Sequence, residues 1–339
     1  MTLPSTSVEP ALPRAAGPLS ATVLDILLKS RPALHARPID VPVCEADPYG
    51  LDLQLALYVC YELHYRGFAG VNPRCEWNPA LLHVRGRLEE AFLSAVTHDV
   101  GEIGPDETAA DEMDALSVEP IDGAGPSYVL RDKGTWEQMR EYFVHRSLYH
   151  LKEADPHAFA IPRLIGQAKA SFVAVEFDEY GAGRGHRAHQ QLFADLMDAA
   201  GLDSAYLAYL DDVPADALAS VNLMSLFGLH RGLRGAAIGH FASTEITSSP
   251  GSRRLVEALQ RMGAPEHCVD FYREHVEADA VHEQVVRTDV VGDLVAREPH
   301  LDRDVVFGIR ARDVVEDRLA IHVMDCWAAG RPSLRRPLA

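Results

Sequence analysis

Apolar residues recur at helical spacing along most of this chain, and no convincing series of alternating apolar and polar positions between tight turns interrupts them. The first helical pattern starts at Ser20, a capping residue, with Val23, Leu24, Ile26 and Leu27 apolar. After a proline-rich turn through Pro42, residues 51–68 carry apolar positions at helical spacing and end near Gly67, the pattern of a buried helix of about five turns. Another helix is predicted over 77–96. An acidic stretch around Pro105 to Asp114 and a Gly/Pro break from Gly123 to Pro126 follow it.

The second half is more continuously helical. Residues 135–153 predict one helix, and Asp155-Pro156, a cap followed by proline, starts another that runs to about residue 183. Further helices are predicted over 186–201, 205–210, 216–230, 231–244, 252–262, 268–296 and 305–330. The expected fold class is therefore all-α. Residues 1–19 read as a flexible arm, 20–330 as a single helical-bundle domain with its core mainly in 47–70 and 133–330, and 331–339 as a tail.

Composition narrows the function. Of 339 residues 47% are hydrophobic and 24% charged, an ordinary globular balance. Lys plus Arg number 32 against 50 Asp plus Glu, so the net charge of -18 repels phosphate backbones and anionic surfaces, and a nucleic-acid partner is not expected. No run approaches the roughly 18–20 apolar residues of a membrane span, and the first residues lack a secretory pattern, which predicts a cytoplasmic protein without a membrane partner. The five cysteines are scattered, odd in number and never spaced C-x-x-C; they read as buried thiols, not as a disulfide framework or thiolate zinc site.

Candidate chemistry concentrates in three places. His275, Asp279 and His282 form H-x3-D-x2-H. At about 100° per residue, Asp279 lies roughly 40° from His275, and His282 roughly 20° to the other side, so all three share a helix face. Two imidazoles and a carboxylate make a borderline N/O donor set that suits iron, manganese or zinc; the alternative is an exposed face with the same residues. Glu176, Asp178, Glu179, His186 and His189 crowd a second segment behind the apolar run SFVAVEF, and a buried carboxylate needs a cation, a donor or a proton. Its alternative is a solvated last turn and a plain Gly181–Gly185 loop. Glu179 to His186 falls about 20° short of two turns, whereas Glu179 to His189 is roughly 80° off in a straight helix, so geometry alone favours His186. The third place is Glu62, in an otherwise apolar helix, where an i,i+4 pair with Arg66 is the competing role. Helical bundles build dinuclear carboxylate sites from Glu and His projecting inward from several helices.

These residues resemble the haem-oxygenase-like diiron oxidases, also described as iron-containing redox enzymes. The resemblance spans mainly residues 168–283 and the helix around Glu62, and is carried by D178-EYGAG, by His189 in HQQLF and by the H-x3-D-x2-H segment. It implies a haem-oxygenase-like bundle with an N-terminal helical elaboration that binds no haem. The implied metal ligands are Glu62, Glu179, His189, His275, Asp279 and His282. The HQQLF context selects His189, with a kink or widened turn at Gly181, Gly183 and Gly185; His186 and Glu176 are the fallbacks.

The resemblance further implies two ferrous ions, dioxygen as co-substrate and an external electron donor. The implied activity is an O2-dependent oxidoreductase of natural-product, such as antibiotic, biosynthesis. Its substrate would be a small molecule such as an aliphatic amino acid, desaturated with possible closure to an azetidine, as from isoleucine. Rival readings are N-oxygenation of an amino group on the same ligands and a metal-free helical binding protein. A cofactorless hydrolase on this fold would need a pocket-facing Cys, and only Cys60 approaches a proposed ligand. Arg66, Arg184, Arg187 and Arg287 are unranked cations for a substrate carboxylate. A homodimer is the expected assembly.

Overall fold

The computed structural model describes residues 9–29, 43–119 and 123–338, and of Glu277, Asp279 and Ala280 the backbone alone. Among the described residues every regular element is helical, as the apolar spacing predicts, and no helix is long and apolar enough to cross a membrane. The first helix, α1 (Pro18–Leu28), begins two residues before the predicted cap. Gly17 takes the cap position, and Ser20 works from inside the first turn, its Oγ accepting the Ala16 and Gly17 N–H groups at 2.8 and 3.2 Å. Helix α2 (Leu51–Glu62) has 12 residues, shorter than predicted, and is buried from Leu53 to Glu62. The helices α3 (Pro79–Val100), which buries Leu81, Val84, Leu88 and Phe92, α4 (Ala109–Leu116) and α5 (Pro126–Asp132) follow. Asn78 caps α3 through the Ala80 N–H at 3.0 Å, with Pro79 at the first position, where a missing N–H is harmless.

Helix α6 (Trp136–His150) opens on a reciprocal Thr135–Gln138 capping box and stops at His150. The helix predicted from Asp155 to about residue 183 is broken. A single turn at Asp155–Ala158 and a 3-10 turn at Ile161–Arg163 precede α7 (Gly166–Glu179), and α8 (His189–Ala199) comes after a loop. The segment 205–210, whose apolar spacing predicts a helix, is a series of turns: Leu207 sits at φ 61°, a left-handed backbone that no helix contains.

Helix α9 (Ala215–Leu229) packs on α2. The two helices predicted over 231–262 are one, α10 (Arg234–Met262), which runs through Pro250. Helix α11 (Glu266–Val285) continues through a wide π turn at Val286–Gly292 into Asp293–Arg297. Helix α12 (Asp302–Ala328) closes the bundle.

Helix α10 is the axis of the assembly, in contact with α11 and α12 along its length, while α7 lies on the π turn and α8 on α11. Glycines set the α10–α12 crossing. A Cβ on Gly239 would stand 2.0 Å from the Val305 carbonyl oxygen, and one on Gly308 2.1 Å from that of Ala236, so the two backbones touch directly. Gly239→Ala must push the helices apart and should cost about 1–3 kcal/mol of unfolding free energy, a shift that chemical denaturation would read. The described termini lie on this bundle: Ala69 donates its N–H to the Pro10 carbonyl at 2.8 Å, and Ser333 bonds the buried His145 at 2.9 Å.

Candidate metal centre

Five segments deliver buried acidic and imidazole groups to one place. The first is the turn after α6. His150 ends the helix, Ala154 at φ 72° reverses the chain, and between them Glu153 is turned inward. Glu179 is the last residue of α7. The loop after it doubles back: Gly181 has φ 74°, and a Cβ there would lie 2.5 Å from both the Ala188 nitrogen and the Arg184 oxygen, so only glycine fits. That reversal starts α8 at His189, directly against Glu179, with Nδ1 2.7 Å from Oε2. The straight-helix argument for His186 fails because α7 and α8 are separate helices; His186 is exposed in the loop.

Two donor groups result. In the first, Glu153, Glu179, His189 and His275 are all buried, each offering an atom within 4.8 Å of the others. His275 donates from Nδ1 to the Phe271 carbonyl at 2.8 Å, which turns Nε2 toward Glu153 Oε1 at 3.6 Å. A backbone acceptor behind the ring fixes the tautomer in the way that suits a metal ligand. The second group comprises Glu179, Glu245 and His282, again all buried. His282 Nδ1 lies 3.2 Å from Glu245 Oε2 and 3.7 Å from Glu179 Oε1. Glu179 therefore sends one oxygen to each group. His275 and His282, two turns apart on α11, divide between them, and the π turn begins four residues beyond His282, where such turns often mark functional sites.

The electrostatics call for a cation. Burial by itself would raise Glu153, but His150 at 2.8 Å and His275 outweigh it and hold the carboxyl well below the usual range. Burial depresses His189, yet Glu179 more than offsets it and the net shift is upward. Glu176, one turn before Glu179, has neither outcome available. Both its oxygens are buried without a hydrogen-bond partner among the described residues, and burial together with the repulsion of Glu179 and Glu245 pushes it up to about 9. Glu153, Glu179 and Glu245 form a concentration of buried acid that is costly unless positive charge sits among it. Carboxylate oxygens and imidazole nitrogens are the donors ferrous iron accepts, so the residues present fit iron.

Of the six ligands named from the sequence, Glu179, His189, His275 and His282 come together here. The side chain of Asp279 lies outside the described residues. Glu62 is a correction: it stands in neither group, and its carboxylate takes Lys152 Nζ at 3.1 Å and the Tyr206 hydroxyl at 2.9 Å. Nor does it form the alternative ion pair with Arg66, whose guanidinium lies 4.1 Å over the Tyr206 ring. The fallback Glu176 is buried beside the groups and belongs to neither.

Glu153 and Glu245 were not anticipated. Each had a faint signal: Glu153 closes a His-x2-Glu step just past the end of an amphipathic helix, and Glu245 is the sole acid between Asp216 and Glu257.

A model of the family described as iron-containing redox enzyme matches residues 140–317, just over half of the chain, and that span holds every donor of both groups. The chain belongs to this family. In this iron-containing redox enzyme the haem-oxygenase-like region starts within α6 and ends within α12, and α1–α5 form an N-terminal helical region before it. A nitrosourea synthase of Streptomyces achromogenes subsp. streptozoticus is 24% identical over 204 residues, which are 58% of this chain and 42% of that protein. The chain thus matches less than half the length of that relative.

Proposed function

We propose that this iron-containing redox enzyme is a non-haem diiron oxidase that uses dioxygen to oxidise a C–H bond of a small amino-acid-type substrate, by desaturation that can proceed to azetidine closure. The observation behind the two-metal reading is the sharing of Glu179. One ion would be held by Glu153, Glu179, His189 and His275, the other by Glu179, Glu245 and His282, with Asp279 added on the family resemblance. Bound iron supplies one-electron chemistry and dioxygen activation. The chain's own residues hold the charge, keep the imidazoles in ligand form and exclude water: the His275 ring packs against the tilted rings of His189 and Phe271, each centroid 4.4 Å away. In desaturation, dioxygen accepts four electrons, two from the substrate with its two hydrogens and two from an external donor together with two protons from solvent, and leaves as two waters.

The resemblance to a nitrosourea synthase, whose product carries a nitroso nitrogen, favours a second reading, oxygen transfer to an amino nitrogen. Anaerobic addition of ferrous iron should load about two ions per chain, as dinuclear carboxylate bundles do. Oxygen and candidate amino acids should then give a product lighter by two hydrogens, or heavier by one oxygen in the second reading. Wild-type protein that takes up no iron would sink both.

A further inference from the structure

A cavity of about 320 Å3 reaches the first donor group from the side of α12. His150 and the buried His275 line its inner part, Tyr149, Phe271 and Met224 its walls, and the exposed Ala124 and Asp317 its mouth. Arg66, Arg184, Arg187 and Arg287, the cations weighed from the sequence, are absent from this lining. Three other arginines are there, and two of them are already committed. Arg146 is bound to Glu316 at 2.7 Å. Arg254 pairs with Glu119, bonds Ser127 at 3.0 Å and lies 4.2 Å over the Tyr128 ring.

Arg312 differs. Its side chain is only 21% exposed, and its one hydrogen bond among the described residues goes from Nη1 to the neighbouring Asp313, at 3.3 Å, whose own carboxylate is 40% exposed. A guanidinium carries five N–H donors, so most of Arg312's are uncommitted on the wall of a cavity that leads to the metal ligands. Two carboxylates, Asp313 and Glu316, face its charge, yet among the described residues only the Asp313 contact takes one of its N–H donors. Glu316, one turn along α12, accepts from Arg146 and Ser220, and His240, which lines the same cavity, is kept neutral by burial, with the charge of Arg312 adding to it.

We propose that Arg312 anchors the carboxylate of the substrate, so that this cavity takes a small aliphatic acid with its anionic head on α12 and its hydrocarbon part toward His275. The assignment rests on the oxidase reading for what happens to that hydrocarbon, though not for the binding itself. An amino acid and a simple branched fatty acid share this chemistry, and matched probes separate them. L-Isoleucine, L-leucine and L-valine carry both charges, 3-methylpentanoate and its homologues lack the ammonium, and the amino-acid amides lack the carboxylate.

Calorimetric titration of these probes into anaerobic, iron-loaded full-length protein is the test, with iron content measured on the same samples. At least one carboxylate should bind wild type while its amide does not. Arg312→Met should weaken that binding at least tenfold and Arg312→Lys less, because a planar fork is lost but a charge kept. Arg287→Met, outside the cavity, should bind as wild type does. If Arg312→Met fails to fold, the amide comparison and Arg312→Lys decide alone. Unchanged binding in a folded Arg312→Met, an amide that binds as well as its acid, or no carboxylate bound to wild type would each overturn the anchor. Wild type that takes up no iron on anaerobic loading yet binds acids through Arg312 would instead retain the anchor and remove the oxidase.

Discussion

Glu179→Ala should leave the protein unable to hold either iron, whereas Glu245→Ala and Glu153→Ala should each weaken one site and spare the other. The asymmetry follows from the oxygens of Glu179, one 2.7 Å from His189 and the other 3.7 Å from His282. Partners that only orient a ligand are worth about 10–100-fold in metal affinity, so loss of a ligand common to both groups should exceed about 100-fold at each. Metal analysis after anaerobic loading and desalting reads this directly. Stability provides an independent measure. Iron at about 100 times its dissociation constant should stabilise wild type by about 2.7 kcal/mol, and this increment should vanish in the variant.

The metal-free variant should differ in its pH dependence as well. In wild type, burial lowers His189 and Glu179 more than compensates, so its folded value lies above the ordinary 6.5. A raised value of this kind contributes stability that is complete below the unfolded value and is lost as pH rises through the folded one. Glu179→Ala removes the largest compensating charge, leaves burial and His275 opposed only by the weaker pull of Glu153, and should erase most of that contribution. For the same reason wild-type iron affinity should fall as pH drops, because iron must expel the His189 proton. Two irons retained by Glu179→Ala would show that the carboxylate is not shared.

What could be read from the chain followed the range of each interaction. Helices were legible wherever one face repeats, and the misplaced boundaries lie where backbone geometry overrides spacing: Ala154 and Leu207 adopt left-handed conformations that a hydrophobic pattern does not encode. The H-x3-D-x2-H segment places His275 and His282 through helix geometry alone, and HQQLF with the glycine loop pointed to His189 although a straight helix argued against it. Glu153 and Glu245 are single residues, one in a turn and one inside a helix of small side chains, and their local signals are too faint to mark them as ligands. Glu62 misled for a related reason. A carboxylate in an apolar helix needs positive charge, and the sequence cannot say whether a metal or a lysine 90 positions away supplies it.

That lysine makes the second prediction. Lys152 and Glu62 are 1% and 0% exposed, and Lys152 Nζ lies 4.6 Å and 4.2 Å from the Tyr58 and Tyr65 ring centroids. Glu62→Gln removes the formal counter-charge and strands the ammonium, a change worth about 3–5 kcal/mol in buried pairs. It should leave iron stoichiometry at the wild-type value, whereas a metal ligand at this position would lose iron instead. Burial already lowers Lys152 in wild type, with Glu62 opposing the shift; without Glu62 the lowering must deepen. The unfolded chain then binds more protons than the folded one over the range between the two values, so the stability of Glu62→Gln should rise with pH toward the ordinary lysine value of 10.5. Denaturation at two pH values within that range would show a smaller deficit at the higher one. Replacing both partners, Glu62→Met with Lys152→Met, removes the stranded charge and should recover most of the lost stability, since an apolar pair of similar volume often matches a buried ion pair. Iron loss in Glu62→Gln without a stability deficit would return Glu62 to the ligand set.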